Sequence, residues 1–361
     1  MTGGAGFIGA NFVLHWLSTR PSDRIVVLDA LTYAGNLANL DSLSHGSAMK
    51  FVHGDICDEG LVGDLFRQHG FDVVVHFAAE SHVDRSILSS QVFVRTNVQG
   101  THTLLEAALD AWKGSSAGRR FLHISTDEVF GSLAPEDPPF TETSRYDPKS
   151  PYAASKAGSD FLVRSYAHTH HLPVTISNCS NNYGPLQFPE KLIPLMILNA
   201  LTGRKLPIYG DGLNVRDWLY VEDHCAAIAL VLDKGRLGET YNIGGNQEVS
   251  NIALVEMLCE LIDRRLSGGG ELAARFPECP AALGARCSEL VTFVKDRPGH
   301  DRRYAICADK ISNELGFKAR TALAAGLAST IDWYLANEPW WRAIQSGEYR
   351  NWIKLQYGSS D

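Results

Sequence analysis

Thr2-Gly3-Gly4-Ala5-Gly6-Phe7-Ile8-Gly9 runs directly into the helix-forming stretch Ala10 to Leu17, and then into Arg24-Ile-Val-Val-Leu28, a short buried strand ending at Asp29. Glycine at every third position permits a tight turn and a close approach of phosphate and helix. The amides and dipole at the start of that helix then face an anion. Asp29 follows Gly9 by about 20 residues, at a strand end, where a carboxylate suits the ribose hydroxyls of an adenosine and repels a 2′-phosphate. The pattern favours NAD over NADP; the alternative for Asp29 is a plain turn residue.

The same alternation continues outward. Lys50-Phe-Val-His53 reads as a strand ending near Asp55, and Phe71-Asp-Val-Val-Val-His-Phe77 as another ending at Ala78. A helix with core positions at Thr101, Leu104, Leu105 and Ala108 precedes the strand Arg120-Phe-Leu-His-Ile124. Tyr152 to Tyr166 reads as a helix, Pro173-Val-Thr-Ile-Ser177 as the next strand, and Tyr241-Asn-Ile-Gly-Gly245 as one more returning to the sheet. Short apolar strands alternating with amphipathic helices imply an α/β fold, a doubly wound parallel sheet covered on both faces. From about Pro185 the pattern turns mixed, with a helix around Ile193 to Leu201, which implies a smaller mixed α/β domain. The expected division is 1–185 plus about 214–247 for the sheet, and 186–213 plus 248–361 for the second domain. Ser267 to Arg286, with Gly268 to Gly270, Pro277 and Pro280, reads as a surface excursion.

Bulk properties narrow the function. The chain has 361 residues, 45% hydrophobic and 20% charged, with a net charge of −8. Such a balance argues against general nucleic-acid binding, so an anionic ligand must be met by local basic residues. Seven cysteines without C-x-x-C spacing read as reduced thiols of a cytoplasmic protein rather than disulfides or zinc ligands. His168, His170 and His171 read as a solvated helix end, so no metal site is expected. No apolar run of about 18 residues exists to cross a membrane, and the N-terminus lacks signal-peptide regions.

The chemistry is carried by Ser125-Thr126-Asp127-Glu128-Val129-Phe130-Gly131 and Tyr152-Ala-Ala-Ser-Lys156. Tyr152 and Lys156, four apart, share a helix face. An ammonium beside a phenol favours phenolate, which can take a hydroxyl proton as hydride leaves the carbon. Tyr-x-x-x-Lys alone is common by chance; here it follows Ser125-Thr126 at a strand's carboxyl end, where such sheets bind ligands. The adjacent acids Asp127 and Glu128, otherwise a solvated turn, make sense when the elements of water are moved as well. The residues thus point to a redox enzyme that dehydrates.

Further segments are more specific: Leu-Thr-Tyr-Ala-Gly-Asn-Leu (31–37), Gly-Asp-Ile-Cys-Asp (54–58), Ala-Ala-Glu-Ser-His-Val-Asp-Arg-Ser (78–86), Asn-Asn-Tyr-Gly-Pro (181–185), Pro-Glu-Lys-Leu-Ile-Pro (189–194), Asn-Val-Arg-Asp-Trp-Leu-Tyr-Val-Glu-Asp (214–223) and Asp-Arg-Pro-Gly-His-Asp-Arg-Arg-Tyr (296–304). With these, nearly the whole chain resembles the extended short-chain dehydrogenase/reductases of the NAD-dependent epimerase/dehydratase type, and within them the dTDP-glucose 4,6-dehydratases. The resemblance implies that Tyr152, with Lys156 and Thr126, oxidises the glucose C4 hydroxyl. The 4-ketone acidifies C5, Glu128 removes that proton, and Asp127 protonates the C6 hydroxyl as it departs. Hydride then returns to C6, giving dTDP-4-dehydro-6-deoxy-glucose with no net use of NAD.

The resemblance also implies a cofactor site of Gly3, Gly6, Phe7, Ile8, Gly9, Asp29, Leu31, Thr32, Asp55, Ile56, Phe77, Ala78, Ala79, Ser81, Thr96 and Asn182, with Tyr152 and Lys156. Asp55 and Ile56 would meet the adenine. Substrate contacts would come from Ser81, Thr126, Asn181, Glu190, Lys191, Leu192, Arg216, Asn251, Arg297 and His300, with Pro207, Ile208 and Tyr209 bordering the base. A lone arginine is otherwise a surface charge; Arg216 inside its motif is the most specific. A homodimer through the helix carrying Tyr152 is also implied, in the biosynthesis of rhamnose or antibiotic sugars.

The sheet's first strand is truncated, because the glycine turn begins at residue 3. The expectation is a mis-called start, the codon at residue 1 being a GTG that encodes valine in Val-Thr-Gly-Gly; in-frame stops upstream with no residual strand code would reject this. Two other functions fit parts of the sequence. A 4-epimerase needs only Tyr152, Lys156 and NAD, and is distinguished by Asp127, Glu128 and the product. A non-catalytic NAD-sensing scaffold is opposed by the intact Tyr152 and Lys156, and a partner captured without turnover would favour it.

Overall fold

The computed structural model describes residues 1–43, 48–115 and 117–346. Its chain begins with the glycine turn and α1 (Phe7–Thr19), then β1 (Ile25–Asp29), β2 (Met49–His53), α2 (Glu59–His69), β3 (Val73–His76) and α3 (Val83–Leu88). A long helical run follows: α4 (Gln91–Phe93), a π-helical segment Val94–Gly100, and α5 (Thr101–Ala111). Next come β4 (Arg120–Thr126), α6 (Pro151–His170), β5 (Val174–Cys179) and β6 (Asn181–Tyr183). The remainder comprises α7 (Leu192–Leu201), β7 (Leu206–Tyr209), β8 (Val215–Tyr220), α8 (Val221–Lys234), β9 (Thr240–Ile243), β10 (Glu248–Ser250), α9 (Asn251–Leu266), α10 (Glu271–Arg275), β11 (Val291–Val294), α11 (Asp309–Leu315), α12 (Leu323–Ala336) and α13 (Glu338–Ser346).

Strands β3, β4, β5 and β9 pair in parallel in that order, and β1 pairs in parallel with β2. Thr2 joins the two parts by parallel bridges to Leu28 and to His76. Its N–H donates to Val75, and its carbonyl accepts from Phe77. Met1 and Thr2 thus lie between β1 and β3 and bond to both.

Alternation along each strand sends successive side chains to opposite faces. Val74 and Phe121 join Val62, Leu104 and Val163 on the side of α2, α5 and α6. Val75 and Leu122 join Phe12, Ile228 and Val231 on the side of α1 and α8. Each buried aliphatic chain contributes about 1.5–3 kcal/mol relative to exposure. The doubly wound sheet is therefore observed. The second group of elements has its own core, built from α7, α9 and α12 around Tyr183, Ile197, Leu258 and Tyr334. Its strands form the mixed sheet β10-β8-β6 and the parallel pair β7 and β11.

The Ser267 to Arg286 stretch is not simply a surface excursion. Phe276, Cys279 and Ala281 are buried in the second core, which turns α10 and the following 3-10 turn inward. The apolar side chains are spaced too irregularly for the sequence to signal one buried face. Cys279 and Cys287 lie with their sulfurs 3.7 Å apart.

Several histidines are wholly enclosed. Thr101 Oγ1 donates to the Asn97 carbonyl, so it accepts from His76 Nε2, and Thr2 Oγ1 donates to His76 Nδ1. Burial lowers His224 to about 3 and His123 to about 4, Lys156 adding to the effect on His123. A histidine whose folded pKa is depressed stabilises fully above its unfolded value near 6.5 and loses that contribution as pH falls towards the folded value. Thermal denaturation followed from pH 7 to pH 4.5 is expected to show a falling Tm. His224→Gln should have a shallower slope; an equal slope would remove His224 from the cause.

Candidate active site

The carboxyl end of β4 and the start of α6 bring the chemistry together. Ser150 Oγ accepts from the Ala153 N–H at 3.1 Å and Pro151 opens the helix, which places Tyr152 and Lys156 on its first turns. Lys156 is buried, and its Nζ donates to the Ile124 carbonyl at 2.8 Å. β4 continues into a 3-10 turn, Asp127–Phe130, where Thr126 Oγ1 donates to Asp127 Oδ1 at 3.3 Å and accepts from the Glu128 N–H at 3.3 Å. Asp127 is 2% exposed, its Oδ2 without a partner.

Burial pushes Asp127 well above the usual carboxylate range; Glu128 and Asp217 add to this, while Arg216 and Thr126 oppose it. Glu128 is also raised by burial, but Arg297, Arg216 and Lys191 pull it back. Adjacent carboxyls raised to different extents are the arrangement that lets one donate a proton and the other accept one. Burial and the charge of Glu128 raise the Tyr152 phenol well above its ordinary value, with Thr126 opposing. Burial lowers Lys156, while Asp160 and Cys179 hold it up.

A cleft of about 380 Å³ runs from the glycine turn to these groups. It is lined by Gly3, Gly6, Phe7, Ile8, Gly9, Asp29, Thr32, Asp55, Ile56, Phe77, Ala78, Ala79, Ser81, Thr96 and Asn182, and at the other end by Thr126, Asp127, Glu128, Tyr152, Lys156, Asn181 and Lys191. Gly3 has φ +69, and a Cβ there would sit 2.5 Å from the Ala78 nitrogen; one on Gly9 would sit 2.2 Å from the Gly3 oxygen. Asp29 accepts from Ala5 N–H at 2.9 Å and Leu31 N–H at 2.8 Å, and burial raises its pKa against those bonds. Asp55 is paired with Arg95 at 2.6 Å.

Leu31, with φ 49, supplies its N–H to Asp29, while its side chain packs in the core with Val27 and Leu40. Strand alternation turns Ile208 into the core and leaves Pro207 and Tyr209 on the other face of β7. Leu192, the first residue of α7, packs on that same core.

Of the remaining expected substrate residues Lys191 lines the cleft, whereas Arg216, Arg297, His300 and Tyr209 stand outside its lining, Arg216 and Arg297 close enough to act on Glu128. Arg216 donates to the Asp301 carbonyl at 2.9 Å and lies over the Tyr304 ring at 4.3 Å. Lys191 Nζ donates to the Ser81 carbonyl at 3.1 Å. Arg297 pairs with Asp84 at 3.1 Å, and Tyr209 donates to the same carboxylate at 3.3 Å; the ring of His300 meets that of Tyr209 edge-on. Sequence reasoning missed Tyr33, whose ring stacks under Arg85 at 4.0 Å, and Glu80, Gln187 and Phe188, all lining the cleft. Their signal was position inside or beside the quoted motifs.

The donor set suits the expected ligands. Asn181 Oδ1, Glu190 Oε1, Asn251 Oδ1 and Arg297 Nε are buried without partners, which a polar sugar nucleotide would supply. The glycine turn offers a cradle for a pyrophosphate with no side chain in its way. A family model described as GDP-mannose 4,6 dehydratase matches residues 1–330. The dTDP-glucose 4,6-dehydratase of Xanthomonas campestris pv. campestris (strain B100) is 53% identical, covering 97% of this chain and 96% of that protein. The same-named protein of Shigella flexneri is 50% identical, covering 99% and 98%. Among solved structures, DesIV, a dTDP-glucose 4,6-dehydratase from Streptomyces venezuelae with NAD and TYD bound, is 48% identical, with TM-score 0.84 over 95% of this chain and 98% of that one. With this pair of unlike carboxyls beside a Tyr-Lys pair, and with relatives this similar over nearly the full length, the chain belongs to the nucleotide-sugar 4,6-dehydratase family.

Proposed function

We infer that this chain is an NAD-dependent dTDP-glucose 4,6-dehydratase, converting dTDP-glucose to dTDP-4-dehydro-6-deoxy-glucose and water. The observation that carries the reading is the adjacency of Asp127 and Glu128, both raised by burial but Asp127 further and Glu128 held back by three cations, at the end of a cleft also holding Tyr152 and Lys156. Gly3 to Gly9, Asp29 and Asp55 would hold NAD, which would supply the acceptor for the C4 hydride and the donor of a hydride to C6. Tyr152 removes the C4 hydroxyl proton, aided by Lys156 and Thr126. Glu128, ionised by its three cationic neighbours, takes the C5 proton. Asp127, protonated by burial, delivers a proton to the departing C6 oxygen. Loss of water beta to a ketone is far easier than from an unactivated sugar, so oxidation comes first. Arg216, Lys191, Arg297 and His300 face the diphosphate, Pro207 and Tyr209 the base, and Asn181 and Asn251 add hydrogen bonds.

On this reading 1–185 plus about 214–247 carry the cofactor, and 186–213 plus 248–361 the sugar nucleotide. Two copies pair through α6 and the π-helical segment, as the exposed Phe161, Val94 and Leu88 support. Among the described residues no helix is long and apolar enough to cross a membrane. We place the enzyme in the cytoplasm, where its sugar nucleotide is made.

Purified protein given dTDP-glucose is expected to form a keto sugar with strong alkaline absorbance; an inverted but otherwise intact sugar would reject the reading. Asp127→Asn and Glu128→Gln should slow water loss more than oxidation, about 100-fold or more, with NADH absorbance building up on the enzyme. Equal loss of both half-reactions would reject the division of roles. Elimination should rise with pH through the elevated Glu128 pKa and fall once Asp127 ionises; a profile without the alkaline fall would remove Asp127 as acid. Phe161→Glu combined with Val94→Glu should roughly halve the sedimenting mass, and an unchanged mass would reject that interface.

A further inference from the structure

One carboxylate close to the catalytic pair has no part in the roles above. Asp160 continues the four-residue spacing of Tyr152 and Lys156 along α6 and is fully buried. It gathers contacts from three places. Ser125 Oγ donates to its Oδ2 at 2.8 Å from the end of β4, and Tyr146 OH donates to the same oxygen at 2.8 Å from the segment before α6. His123 Nε2 lies 3.1 Å from Oδ1. Because Ser159 Oγ donates to the Lys156 carbonyl at 2.7 Å, it accepts from His123 Nε2 at 3.2 Å. The Nε2–H therefore goes to Ser159, and Asp160 Oδ1 lies beside the ring without a hydrogen bond of its own. Arg164 closes the far end, donating to Tyr146 OH at 2.8 Å.

A buried carboxylate needs a counter-charge. Burial lowers His123 to about 4, so it is neutral at neutral pH. Burial opposes ionisation of Asp160, yet its contacts with His123, Lys156 and Ser125 keep it below its ordinary value. Two cations stand near it: Arg164, reached through the Tyr146 hydroxyl, and Lys156, one turn back on α6 and held by the Ile124 carbonyl next to the Ser125 that binds Asp160; the tendency of buried Lys156 to lose its proton is countered first by Asp160. The other groups facing the pair offer no equivalent. Cys179 is a thiol pushed up to about 12, and His76 is neutral. Asp127 and Glu128 face the phenol of Tyr152.

We propose that Asp160 is a positioning residue for the Tyr152–Lys156 pair, holding the Lys156 ammonium charged from the side away from the cleft while fastening α6 to the end of β4. This deepens the function proposed above and rests on it for the role of Tyr152. With the Asp160 charge gone, Lys156 sheds its proton more easily, and a neutral amine no longer favours the Tyr152 phenolate. Sugar oxidation would then need a higher pH.

The test compares the parent holoenzyme with Asp160→Asn and Tyr146→Phe. Carbon-13-labelled lysine, followed by NMR, reads the Lys156 titration directly, and single-turnover NADH formation across pH reads oxidation. Asp160→Asn is expected to lower the Lys156 midpoint by about one pH unit or more and to move the acidic limb of oxidation upward similarly. Tyr146→Phe, which removes a hydrogen bond but no charge, should leave the midpoint in place. A folded Asp160→Asn enzyme with an unshifted midpoint and limb would overturn the proposal, even if slower. Should Asp160→Asn be insoluble, Asp160→Glu keeps the charge: a midpoint near the parent's supports the proposal, and one lowered by a full unit overturns it. Failure of the parent to make keto sugar would reject the wider reading, while the lysine titration still decides the role of Asp160.

Discussion

The whole site depends on the burial of charge at the end of one strand. Lys156 is pinned to a backbone carbonyl of β4, whose last residues Ser125 and Thr126 lead into the turn that supplies Asp127 and Glu128. Little water reaches them, so small differences in neighbours become large differences in proton affinity. Asp217 beside Asp127, and the arginines beside Glu128, are enough to divide two adjacent acids. The parallel sheet positions one set of groups and the second core the other, so the cleft between them brings both to the same sugar.

Much of this was legible in the residues, for physical reasons. The glycine turn and Asp29 could be placed because a dinucleotide's phosphate and ribose call for that spacing, and both line the cleft. Tyr152 and Lys156 were visible because the helix period puts them together. The alternating strands and helices gave a two-faced sheet, and the two-sided core observed around Val74 and Val75 follows from it.

What escaped was what depends on three-dimensional neighbours. Leu31 and Ile208 lie within motifs yet point into cores, since a motif names a backbone path and not the direction of each side chain. Phe276, Cys279 and Ala281 are buried without any periodic pattern. Asp160 lies one helical turn beyond Lys156 and looks in sequence like an ordinary polar position; only its contacts with β4 and Tyr146 reveal its surroundings. The link of Asp84 with Arg297 and Tyr209 joins residues more than a hundred positions apart, beyond any local pattern.

The wide turn at Val94–Gly100 has a consequence of its own. It carries Asn97, whose amide donates to Ser155 Oγ at 2.8 Å on the catalytic helix and also binds both backbone groups of Glu80. A π-turn is a regular helix holding a surplus residue, and it leaves the flanking turns presenting their usual faces. Deleting one residue there is thus a change the hydrophobic packing would tolerate while the amide is withdrawn from Ser155. Such a shortened chain separates foldedness from competence, and this stretch of helix is long by design of its neighbours rather than by its own propensity.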